Sequence, residues 1–140
     1  TLEGDECYPP ETESCDKENT VLPIAAFRHI FIRSVIGGYV YRGEDIPWLQ
    51  GQYVYGDRFR GLFYLDPTES DIQHFPQVLA YKPRIQHGNE LGEVMFLSSL
   101  TEDSHGELYA ISLGGAIYKI RQMSTRKELE GFLRALWDFR

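Results

Sequence analysis

Cysteine is scarce in this chain: 140 residues hold two, Cys7 and Cys15. No second Cys or His pair stands at ligand spacing beside them, which argues against a zinc site. No apolar run approaches the roughly 18 residues a helix needs to cross a bilayer, so no membrane span is expected. Positive charge is also short, with 14 Lys and Arg against 21 Asp and Glu, net −7. A basic surface for nucleic acid is therefore not expected, because such binding rests on cationic patches that displace counterions. Ser-His-Asp order, a phosphate-cradling Gly loop and a nucleophile elbow are all missing. The four histidines, His29, His74, His87 and His105, are scattered without metal-ligand spacing, so no metal site is expected.

The acidic excess is concentrated at one end. Residues 1–22 carry seven acidic side chains against Lys17 alone, while the remainder is nearly balanced. Such a leader reads as a solvated irregular segment. Its two thiols, in a short Pro-containing loop, predict a Cys7–Cys15 disulfide and hence a secreted, extracellular protein. The chain opens on Thr1 with no positively charged, apolar leader. A signal peptide is thus expected to be absent from it, whether it is a mature product or a piece of a longer protein.

What the chain does have is short aromatic and β-branched runs punctuated by Gly and Pro. Strands are expected at Tyr39–Arg42, Gln52–Tyr55 and Leu62–Leu65, and within Asp71–Tyr81, where Pro76 demands an edge or an interruption. Together they read as a four-stranded meander. After a polar connector at 82–92, three more are expected: Val94–Leu100, Glu107–Ser112 and Ala116–Ile120, the last two joined by a Leu113-Gly114-Gly115 hairpin. Asp57…Gly61-Leu62-Phe63-Tyr64 and Asp103…Gly106-Glu107-Leu108-Tyr109 look alike at an offset of about 45 residues, the period of a four-stranded propeller blade. Turn-forming Asp, accepting local backbone N–H groups, accounts for both aspartates better than a carboxylate pair does.

The tail differs. Thr125-x-x-Glu128 is a capping box, and Leu129, Phe132, Leu133, Leu136 and Trp137 fall on one helical stripe. A C-terminal amphipathic helix is expected over 123–140, packed on its own domain or docked on a partner or a membrane surface, the last disfavoured by both signs of charge on its polar face.

Gly37-Gly38-Tyr39-Val40-Tyr41-Arg42-Gly43, followed by Ile46-Pro47-x-Leu49-x-Gly51-x-Tyr53-Val54-Tyr55-Gly56-Asp57, resembles the C-terminal blades of the soluble glucose/sorbosone dehydrogenase family. Glu102-Asp103-x-x-Gly106-Glu107-Leu108-Tyr109 and Gly115-x-Ile117-Tyr118-Lys119-Ile120 resemble that family's last blade. The Glu6-Cys7-Tyr8 opening, Cys15 and Leu22-Pro23-Ile24 are closest to its hedgehog-interacting-protein-like branch of secreted proteins. The resemblance implies an all-β chain of about two antiparallel four-stranded β-propeller blades, the second incomplete. Residues 1–22 would be an acidic disulfide-containing loop and 23–122 the end of a six-bladed propeller whose other blades lie upstream.

Many members bind pyrroloquinoline quinone (PQQ) and oxidise aldose sugars. Arg42 matches a position where those enzymes carry a cofactor-contacting Lys, and Arg60 a cofactor-contacting Arg. Guanidinium groups suit the quinone's carboxylates; the competing reading leaves both on turns with local hydrogen bonds. No His matches the family's catalytic base, and calcium contacts would come from upstream residues. The chain alone is therefore expected to be inactive and to hold no cofactor by itself. Two functions remain open: the cofactor-pocket end of a PQQ-dependent aldose dehydrogenase acting on a sugar, and a non-enzymatic secreted propeller that binds an extracellular protein.

Overall fold

The structure is a computed structural model that describes residues 2–9, 15–74, 77–79 and 96–122. The helix expected over 123–140 lies outside the described residues. Within them are nine strands, β1 (Leu2–Glu3), β2 (Glu6–Cys7), β3 (Val35–Val40), β4 (Tyr53–Asp57), β5 (Gly61–Leu65), β6 (Gln77–Leu79), β7 (Leu97–Glu102), β8 (Leu108–Ser112) and β9 (Ile117–Lys119), with a 3₁₀ turn at Pro47–Leu49. They form three antiparallel sheets, β1-β2, β3-β4-β5-β6 and β7-β8-β9. The all-β expectation is met. No helix among the described residues is long and apolar enough to cross a membrane.

Strand periodicity explains the two cores. On β4 and β5, Val54 and Leu62 face β7–β9, meeting Leu97, Leu100, Leu108 and Tyr118 in one buried cluster. Their sequence neighbours Tyr55, Phe63 and Leu65 point to the opposite face, as side chains on a pleated strand must. There they join Ile32 in a second cluster, flanked by Ala25 and Phe27. Both faces of the β4–β5 hairpin are therefore covered, one by the second sheet and the other by the irregular segment that precedes β3.

The leader is less irregular than its composition suggests, since Leu2 pairs with Cys7 and Glu3 with Glu6. Cys7 and Cys15 form the expected disulfide. Lys17 donates through Nζ to the Asp5 carbonyl at 2.7 Å, so backbone pairing and the cystine together organise residues too polar to collapse by themselves.

The two large sheets stand with their first strands, β3 and β7, packed against each other. The expected blade repeat differs from what the sheets show. Asp57 closes the second strand of its sheet, whereas Asp103 follows the first strand of the other. The Leu97 N–H bonds the Arg58 carbonyl at 3.1 Å, so β7 starts at the end of the molecule where β4 finishes. The two similar turns thus lie at opposite ends. The matching elements are β3 with β7, β4 with β8 and β5 with β9. Turn chemistry is local and recurs wherever a hairpin needs it, so its repetition does not set the period.

Candidate functional site

One end of the paired sheets is built around a buried carboxylate, Glu107, with 5 % of its surface exposed. Its Oε2 accepts the Tyr41 hydroxyl at 2.8 Å, and its Oε1 accepts the backbone N–H groups of Glu44 and Asp45 at 2.8 and 2.9 Å. The Tyr41 oxygen in turn accepts the Ile46 N–H at 3.1 Å. Burial, then the bond to Glu107, holds the Tyr41 phenol well above the ordinary tyrosine range. Gly43 is required here, because a Cβ at that position would meet the Glu107 carboxyl at 2.5 Å and the Tyr41 oxygen at 2.6 Å. One acidic residue of the second sheet therefore shapes the whole Gly43–Ile46 loop of the first. Lys119 adds an ion pair to Asp45 at 2.8 Å. That pair is the main reason the Lys119 amine titrates above its ordinary value.

Arg42 lies at this end. Its guanidinium is 3.3 Å from the Val40 carbonyl and 3.8 Å from Glu102, with a largely exposed side chain. Arg60 lies at the other end, in the turn between β4 and β5. Val40 pairs with Tyr53 and Val35 with Asp57, so the length of β4, about 17 Å at strand rise, separates the backbones of the two arginines. They are not brought together.

At the Arg60 end, Asp57 is fully buried. Its Oδ2 accepts the N–H groups of Arg33 and Ser34 at 2.8 and 2.6 Å, and its Oδ1 accepts Phe59 N–H at 2.9 Å. Asp103, on the Glu107 side, accepts His105 and Glu107 N–H on Oδ1 and the Tyr109 hydroxyl on Oδ2. Burial pushes the Asp103 carboxyl up; the N–H groups of His105 and Glu107, the Tyr109 hydroxyl and the His105 charge outweigh it and leave it below the ordinary 3.8. Both aspartates thus form turns, as expected from their position before a turn glycine. Asp57 does more, tying residues 33–34 to the hairpin.

These three carboxylates direct hydrogen bonds to backbone N–H groups and tyrosine hydroxyls. Chemically they can hold loops in place. Glu107 escapes sequence reasoning because it directly follows a turn glycine, where a surface carboxylate is the ordinary expectation. The one signal was Tyr41-x-Gly43, an aromatic hydroxyl next to a residue without a side chain.

An open cleft of about 1610 Å³ lies between the leader and the Tyr53–Tyr55–Leu65 face of the first sheet. Neither Arg42 nor Arg60 lines it. Phe27 stacks on Tyr55 there at 5.8 Å, and the Tyr55 hydroxyl has no hydrogen-bond partner among the described residues; burial raises its pKa. His74, which also lines the cleft, is 3.9 Å from Asp5 of the leader. His29 lies beside the cleft, exposed, and His105 is exposed in its turn; His87 lies outside the described residues. No group of three or more His, Cys, Asp or Glu among the described residues could hold a metal ion. No protein-family model matches the chain, and no solved structure matches it.

Proposed function

We propose that the chain is the C-terminal part of a secreted β-propeller of the glucose/sorbosone dehydrogenase-like type, serving as a protein-binding module of the hedgehog-interacting kind. The observation that carries this reading is the separation of Arg42 and Arg60 by the length of β4. A dianionic or trianionic quinone held by two guanidinium groups needs them to converge on one site. Arg42 is instead engaged by Glu102 and a carbonyl, and Arg60 belongs to a different loop cluster. This arrangement favours the protein-binding reading over a quinone held jointly by these two arginines.

Support for the propeller comes from two successive meanders whose first strands pack side by side, the relation of neighbouring blades around an axis. Among the described residues the second sheet has three strands where the first has four, which suits a blade completed by a strand from elsewhere in a longer chain. The disulfide supports an oxidising compartment.

The test is titration of PQQ with calcium into the chain, followed by absorbance, then dye reduction with glucose. Neither a saturable spectral shift nor turnover is expected. Saturable PQQ binding lost in both Arg42→Ala and Arg60→Ala would overturn the reading in favour of the aldose dehydrogenase.

A further inference from the structure

Charge is distributed unevenly between the two ends of the sheets, although the body of the chain is nearly neutral. The Glu107 end gathers Glu44, Asp45, Glu102 and Asp103 with their partners Arg42 and Lys119. The opposite end gathers arginine. Three turns are knitted together there by backbone bonds: Arg58 N–H to Ser34 carbonyl at 3.0 Å, Leu97 N–H to Arg58 carbonyl at 3.1 Å, and Leu113 N–H to Phe96 carbonyl at 2.8 Å. Arg33, Arg58 and Arg60 sit on these turns, and none of the three forms an ion pair with a described residue. The carboxylate at hand is Asp57, fully buried and already bonded to three backbone N–H groups. It offers the guanidinium groups no exposed counter-charge, although Arg33 also lines the cleft bordered by Glu3, Asp5 and Glu6 of the leader.

The same turns expose apolar surface. Phe59 and Phe96 meet edge to face at 6.0 Å, and the Arg58 guanidinium lies 5.8 Å from the Phe59 ring centre. Each ring is 46 % exposed, and Leu113, bonded to Phe96 through its backbone, is 56 % exposed. Aromatic rings fixed in geometry and interleaved with unpaired arginine are the composition of an interface centre, not of an ordinary solvated turn.

We propose that this end is a docking surface for an acidic peptide segment of a partner protein. Its carboxylates meet Arg33, Arg58 and Arg60, and an apolar side chain seats against Phe59, Phe96 and Leu113. A polyanion without apolar groups, such as a sulfated glycan, would leave the three apolar side chains in water. In a second copy of the chain Asp45 and Glu102 are already paired with Lys119 and Arg42, whereas its leader 1–22 is acidic, so self-association is a separate outcome of the test. The inference rests on the protein-binding reading above and assigns it a surface and a partner chemistry.

The experiment uses the full chain and three fluorescein-labelled synthetic peptides of equal length. One alternates Glu and Asp with Leu and Trp, one replaces the apolar residues by Ser, and one replaces the acids by Lys. Fluorescence polarisation is expected to show saturable binding of the first alone, weakened about tenfold by the Arg58→Glu/Arg60→Glu double variant and similarly by Phe59→Ser. Trp48→Ala, at the other end, leaves it unchanged. Circular dichroism confirms that the variants fold, as exposed turn substitutions should. Equal binding of the Ser-containing peptide or of a heparin oligosaccharide overturns the apolar half of the proposal and with it the partner class. Binding that survives both sets of substitutions overturns this surface but leaves a protein-binding module in place. Failure of every peptide overturns the surface, and the PQQ titration then decides separately whether the functional reading also fails. Self-association abolished by Arg58→Glu/Arg60→Glu would overturn it in favour of a second copy.

Discussion

Glu107 is the residue on which the relation between the two large sheets turns. Its carboxylate satisfies two backbone N–H groups and one hydroxyl of a loop more than sixty positions earlier in the chain. Removing an acceptor from one buried hydroxyl and two part-buried N–H groups costs more than the bonds themselves were worth, to the extent that the donors stay desolvated. Glu107→Ala is therefore expected to lower the unfolding free energy by about 3 kcal/mol, and Glu107→Gln by about 1 kcal/mol, because the amide oxygen keeps an acceptor for Glu44 and Asp45. Urea midpoints of the two variants check this; equal losses would show that the neutral amide cannot replace the carboxylate, so that charge and not a retained acceptor carries the effect. At this scale the turn aspartates could be read in advance, because their partners lie within a few residues. Glu107 could not, because its partners come together only when β3 and β7 pack.

At the scale of elements, the adjacent glycines of β3 separate a local preference from a tertiary demand. A Cβ on Gly37 would be 3.9 Å from the Tyr53 hydroxyl, an ordinary contact. A Cβ on Gly38 would run into the Val54 carbonyl and the backbone of Tyr55, which cannot yield without opening the β3–β4 ladder. The register shifts at this point, between Ile36 and Tyr39, as expected where a bulge re-aims a strand. Gly38→Ala is thus expected to cost about 3 kcal/mol and Gly37→Ala less than about 1 kcal/mol. Thermal denaturation of the pair is the measurement, and similar melting points would refute the steric account. The same bulge explains a difference in strand limits. Aromatic alternation placed the strand start at Tyr39, whereas pairing of Val35 with Asp57 carries β3 back across the two glycines. Glycine hides a strand from propensity reasoning even where the backbone remains paired.

At the scale of the whole molecule, acid stability follows from three aspartates. The Asn19 side chain first, then backbone N–H groups, lower the Asp16 carboxyl, and the Thr68 hydroxyl and N–H lower Asp66. Asp103 is lowered by the turn described above. Each folded value lies below the ordinary 3.8, so between the two values the unfolded chain binds more protons than the folded one. Their contribution is complete above that ordinary value and is lost as pH falls through the lowered ones. Asp16 is exposed and Asp66 and Asp103 are half-buried near the surface, so the effect is modest and partly screened by salt. The melting temperature is expected to fall between about pH 5 and about pH 3, with a shallower slope in Asp103→Asn. A variant with the wild-type slope would remove Asp103 from the account.

The sequence by itself determined the all-β class, the seven strands of the two large sheets though not their limits, the turn aspartates and the cystine, but not the β1–β2 pair in the leader. Each depends on alternation or on residues close along the chain, so elementary stereochemistry suffices. Only the tertiary structure decided which end of the sheets each loop occupies. It put Arg42 and Arg60 at opposite ends, buried Glu107, and gathered Arg33, Arg58, Phe96 and Leu113, which are spread over eighty positions. Antiparallel pairing reverses direction at every turn, so a residue's end of the sheet depends on how many strands precede it and on which sheet packs beside it. Motif spacing carries no record of either.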